Sequence, residues 1–201
     1  MTREFLRTML TPAVLAAQQH YYGKTYKASQ PAPAPDELGS DEIEFVQQRD
    51  SFYLASVTED GWPYMQHRGG PRGFLRAVSP RQLVFADYGG NRQLITVGSL
   101  QRQPRVCLFL MDYPARTRLK ILGTATALDA RDVPAEVSAS APPTGHAATP
   151  ERIVRIDVQA FDWNCPKFIT PRFTADEVET AVARLQARVR ELEAELAQRP
   201  S

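Results

Sequence analysis

Residues 85–100 read Phe85-Ala-Asp-Tyr-Gly-Gly-Asn-Arg-Gln-Leu-Ile-Thr-Val-Gly-Ser-Leu100. An apolar run ends at Tyr88, two glycines follow, and a helix-like stretch begins after Asn91 and Arg92. Two readings are open. Gly89-Gly90 is a turn and Asn91 a helix cap, or the glycines let an anion approach the free N–H groups of a helix N-terminus. The fold follows from what lies on either side.

Upstream, the chain has β character from Ser51 onward. Phe52–Val57 is a strand, Thr58–Gly61 a hairpin turn with Asp60-Gly61 at its tip, and Trp62–Arg68 the return strand. Residues 73–78 and 83–88 form a second hairpin around Ser79–Gln82. Downstream of a helix over 91–103 come Arg105–Asp112, the alternating Thr117–Asp129 and the last strand, Arg152–Trp163. Six or seven short antiparallel strands with one inserted helix predict a barrel, because closure removes exposed edges. The fold class is α+β, mainly antiparallel β.

The flanks differ. Residues 1 to about 28 are expected to be helical, with Thr11 as an N-cap and Pro12 at the first helical position. Residues 30–40 form a proline-rich connector, and Asp41 and Glu44 have the spacing of a capping box. A Pro/Ala/Ser-rich stretch, about 133–150, reads as a loop. After a second capping box, Thr174 and Glu177, apolar residues recur as Val178, Val182, Leu185, Val189, Leu192 and Leu196. That spacing is a heptad seam of about three repeats. The helix either pairs with another chain or lies on its own barrel. Three segments result: 1–50, N-terminal helices and connector; 51–173, barrel; 174–201, C-terminal amphipathic helix.

Composition gives several classes no support. The 201 residues carry a net charge of +1, so no global field favours nucleic acid or an anionic membrane. No apolar run approaches the ~20 residues of a membrane helix. The N-terminal apolar stretch is interrupted by Thr8, Thr11 and Pro12 without a cleavage site, so the expected location is cytoplasmic. Two cysteines and the scattered His20, His67 and His146 offer no zinc-ligand spacing; no metal is expected. No Gly-x-Ser-x-Gly elbow supports a hydrolase.

Basic residues fall near the glycine turn. Arg68, Arg72 and Arg76 lie in residues 66–76, and Arg118 and Lys120 share one face of their strand. These cations are either solvated or gathered around an anionic ligand.

In this order, residues 52–64, 74–93, 104–113 and 118–128 resemble the pyridoxamine 5′-phosphate oxidase-like family of flavin-binding split β-barrels. The resemblance implies a split barrel, an FMN cofactor, a homodimer and a small-molecule substrate or electron donor. It places Asn91, Arg92 and Gln93 at the FMN phosphate and Arg76 on its phosphate side. Ala86 and Asp87 would lie along the flavin edge, and Arg118 at the ring system. Arg68 and Lys120 join them as basic neighbours, and Trp163 either covers the flavin from a partner chain or packs in the core. His67 is the candidate proton donor. Gln93 stands where the family has a lysine, and the oxidase's C-terminal Arg-x-His signature has no counterpart here. Flavin binding therefore carries over better than pyridoxamine oxidation. The alternatives are a non-catalytic flavin or haem carrier or sensor, and an F420-dependent reductase.

Overall fold

A computed structural model of the chain describes residues 3–26, 34–90, 92–133, 150–163 and 166–197. Helices α1 (Arg3–Met9), α2 (Pro12–Tyr22) and α3 (Ser40–Gln47) precede strands β1 (Ser51–Val57), β2 (Pro63–Gly69), β3 (Arg76–Ser79) and β4 (Gln82–Asp87). Helix α4 (Ile95–Arg102) leads to β5 (Arg105–Asp112), β6 (Thr117–Asp129) and β7 (Arg152–Trp163), and α5 (Ala175–Ala197) closes the described chain.

The strands form one antiparallel sheet in the order β2-β1-β5-β6-β7-β4-β3. Its first strand and its last pair meet again in space. Arg68 on β2 touches Asp87 on β4, and the Phe52 ring on β1 lies 5.5 Å from the Phe85 ring on β4. The sheet has curled into a split β-barrel, as the alternation of short hairpin-linked strands predicts. Inside sit Phe52, Leu54, Phe85, Leu108, Ile121 and Ile156, all nearly inaccessible. Burying such side chains contributes roughly 1.5–3 kcal/mol each.

Period-two alternation sets each strand's faces. Phe52, Leu54 and Ser56 point inward, and their partners on β2 are Arg68, Gln66 and Tyr64. These β2 side chains therefore share the inward face, while Met65 and His67 face out. On β6, buried Leu119 and Ile121 alternate with Arg118 and Lys120, which are outward.

The hairpin turn at Asp60-Gly61 forms, with Gly61 at φ 85°. The Thr11 cap forms as well, its hydroxyl accepting from Val14 N–H, but residues 10–11 split the N-terminal helix in two. The capping box of α3 is displaced from its expected position. Gly39 is the N-cap and its N–H donates to Glu42 at 2.9 Å, so Glu42, not Glu44, closes the box. The box at α5 forms between Thr174 and Glu177 as expected. Of the connector, residues 34–39 are pinned: Leu38 is buried, and Asp36 N–H donates to Gln159 C=O at 3.0 Å. Most of the 133–150 stretch, and with it His146, lies outside the described residues.

Candidate functional site

Where β2 and β4 approach, a cleft of about 420 Å³ opens. One wall is the inward face of β2: Tyr64, Gln66 and Arg68. The opposite wall holds Asp87 and Tyr88 from the end of β4 and Glu151 and Arg152 from the start of β7. Gly90, Arg92 and Gln93 complete it together with Thr96 from the first turn of α4.

At its base a single buried carboxylate holds two guanidinium groups. Arg68 Nη1 donates to Asp87 Oδ1 at 2.6 Å, and Arg152 Nε donates to Asp87 Oδ2 at 2.8 Å. Arg152 Nη1 also reaches Glu151 at 2.9 Å. Burial works against the Arg152 charge, but hydrogen bonds and charge from Asp87 and Glu151 outweigh it and hold the guanidinium above its ordinary value. Arg68 also lies over the Phe85 ring at 5.6 Å. Its Nε is buried with no hydrogen-bond partner. A buried charged donor without an acceptor is costly, so Arg68 keeps unmet hydrogen-bonding capacity in the wall of the cleft.

The helix begins later than expected. α4 starts at Ile95, and Leu94 stands at its N-cap with φ 54° and no side chain to cap the first turn. Arg92 is also left-handed, at φ 59°. Two non-glycine residues in this region within three positions are uncommon. The left-handed residues are thus Arg92 and Leu94 and not the glycines before them, and the exposed Arg92 lines the cleft. Thr96 is fixed by donating to Gln66 at 3.0 Å, tying α4 to β2. Asn91 lies outside the described residues.

Of the residues singled out in the sequence, Arg68, Asp87, Arg92 and Gln93 meet in this cleft. The others stand elsewhere. Ala86 is buried on the far face of β4 beside Val84 and Ile153. Arg76 is exposed on β3 opposite Val84, on that same outer face. His67 faces outward and packs edge-on against Tyr53, with ring centroids 5.6 Å apart. Lys120 pairs with buried Asp162 at 3.1 Å, and Arg118 sits over the Phe109 ring, both on the outer face of β6. Trp163 packs against the core, edge-on to Phe45, and donates to Glu42 at 2.6 Å. Among the described residues no group of three or more His, Cys, Asp or Glu side chains is placed to hold a metal ion. No described helix is long and apolar enough to cross a membrane.

Sequence reading missed Tyr64, Gln66, Thr96, Glu151 and Arg152. Alternation could have flagged Tyr64 and Gln66, since they share the parity of Arg68. Arg152 carries no local signal; it arrives through the pairing of Asp87 with Arg152 between β4 and β7.

Residues 41–165 match the pyridoxamine 5′-phosphate oxidase family. Among solved structures, HupZ from Group A Streptococcus is similar at 12% identity and a TM-score of 0.51, over 68% of this chain and 100% of that one. A point variant of HupZ has the same identity and score, over 63% and 99%. A Clostridium acetobutylicum protein related to general stress protein 26, of the pyridoxinephosphate oxidase family, shares 13% identity over 69% and 94%, with a TM-score of 0.45. No curated protein matches the chain by sequence. The matched segment spans the whole barrel from α3 through β7, and the chain belongs to the pyridoxamine 5′-phosphate oxidase family.

Proposed function

We propose that this protein is an FMN-binding oxidoreductase that works as a homodimer on a small-molecule substrate or electron donor. The observation that carries the reading is the buried, unpartnered Nε of Arg68, set in a cleft where three arginines face two carboxylates. A phosphate is the ligand that such a site suits. It would take its contacts from Arg92 at the mouth, from Arg68 behind, and from the N–H groups of the α4 first turn. Asp87 holds Arg68 and Arg152 in place, so these donors are oriented before a ligand arrives. Tyr64 and Tyr88 give the cleft ring faces suited to a planar ligand. When bound, the flavin would supply electron transfer between donor and acceptor.

Arg118 and Lys120 face outward, so a role for them at the same cofactor requires a second chain. The homodimer itself is what the family resemblance implies.

The test is the absorption spectrum of the purified protein after gel filtration, followed by FMN titration of Arg92→Ala. We expect flavin bands in the wild type and about tenfold to a hundredfold weaker FMN binding in the variant, the loss of one charged hydrogen-bonding group. Riboflavin, which lacks the phosphate, should bind both proteins equally. A colourless protein that takes up no added FMN would overturn the proposal.

A further inference from the structure

The apolar stripe of α5 lies open. Val178, Val182, Leu185, Val189, Leu192 and Leu196 are 41–67% exposed, and no residue of the helix is buried. A stripe of this kind on a helix about 34 Å long is built to be covered. We infer that α5 pairs with α5 of a second copy of this chain as a parallel, in-register two-stranded coiled coil.

The register follows from the spacing. Val182, Val189 and Leu196 fall at the a positions, and Val178, Leu185 and Leu192 at d. Valine at a with leucine at d favours two parallel strands. The flanking charges agree. In a parallel pair, Arg188 at g of one helix lies beside Glu193 at e of the next heptad in the other, and the contact occurs twice. In an antiparallel pair e faces e and g faces g, which sets Glu179 and Glu193 of the two chains together and repels. Within its own helix Arg188 already meets Glu191 at 2.9 Å, so the second helix adds a further carboxylate to a held guanidinium. The polar face argues against a lipid surface as the occupant. Six carboxylates stand against three arginines on this helix, the wrong sign for anionic membranes. Three heptads are marginal alone, and any association of the barrels would raise the effective concentration of the helices. The inference is independent of the flavin cleft.

The experiment uses the full chain with Leu185→Cys, exposed to a mild oxidant and run on a non-reducing gel beside wild type. Paired d positions lie close enough for a disulfide. We expect most of the protein to form a covalent dimer, while Ala187→Cys, on the opposite side of the helix, stays monomeric. Adding Arg188→Glu should slow cross-linking severalfold, and adding Glu193→Arg to that variant should restore it. Circular dichroism of each variant verifies that the barrel remains folded. No cross-link above the wild-type lane, equal cross-linking at 187, or a rate blind to the charge swap would overturn the inference. So would co-sedimentation of the uncross-linked helix with phosphatidylserine vesicles.

Discussion

Asp87 holds two guanidinium groups with one carboxylate, and its removal leaves Arg68 part-buried without its counter-ion and Arg152 with Glu151 alone. Breaking a buried pair from one side is costly. Asp87→Ala should lower stability by about 3 kcal/mol in urea unfolding, well beyond the median ~0–1 kcal/mol of a surface pair. Cys107 illustrates a different residue-level effect. Burial pushes its thiol above the ordinary value, and the nearby Lys120 offsets this only in part. The protonated form is thus favoured in the folded chain, and the thiolate is the reactive species. Alkylation at Cys107, read by peptide mapping between about pH 8 and 9, should be much slower than for a free thiol. The linkage has a definite sign. An unfolded thiol loses its proton at lower pH than the folded one, so this contribution to stability falls as pH rises through the ordinary thiol range.

Elements hold one another through single points. At the β6 bulge between Leu122 and Gly123, a Cβ on Gly123 would stand 2.5 Å from the Asp157 carbonyl of β7. Backbone cannot give way as a flexible side chain can. Gly123→Ala should therefore cost about 1–3 kcal/mol in chemical denaturation. Helix α3 is tied to the end of β7 by Trp163, through its indole N–H to Glu42 and its edge contact with Phe45. Trp163→Phe keeps an aromatic side chain but removes the donor and part of the ring, so a loss of about 1–2 kcal/mol is expected in the same assay. Elements were the most readable feature of the sequence. Alternation separated Leu119 and Ile121 from Arg118 and Lys120 correctly, and the caps at Thr11 and Thr174 were visible in local chemistry. The start of α4 was not. Arg92 and Leu94 adopt left-handed backbone that no propensity announces, which delays the helix to Ile95.

In the molecule as a whole, the cleft exists because the sheet curls until β2 faces β4. Arg92 and Gln93 were legible together because they are neighbours in sequence. Arg68, Asp87 and Arg152 were not legible as a set, because their meeting depends on the order of seven strands. Arg118 and Lys120 were grouped with Arg68 on charge and alternation and Trp163 on family resemblance, and in the single chain they face other surroundings. Charge and apolar pattern locate faces; only closure decides which faces look at one another.

Strand β7 has one more consequence. It pairs with β6 on one side and β4 on the other, so the β3–β4 hairpin joins the rest of the sheet only through it. During synthesis the two halves of the sheet are made first and the clasp last. A nascent chain halted before residue 152 should hold the four strands β2-β1-β5-β6 and a detached hairpin, both with apolar faces open to water. The chain becomes able to fold only when Trp163 has left the ribosome, and the long-range pairing then required makes this step slow. Ribosome-bound chains of increasing length should gain protease resistance abruptly once residue 163 is exposed, and a gradual gain would mean that the halves fold independently. The last strand to be made thus sets how long the growing protein depends on protection from aggregation.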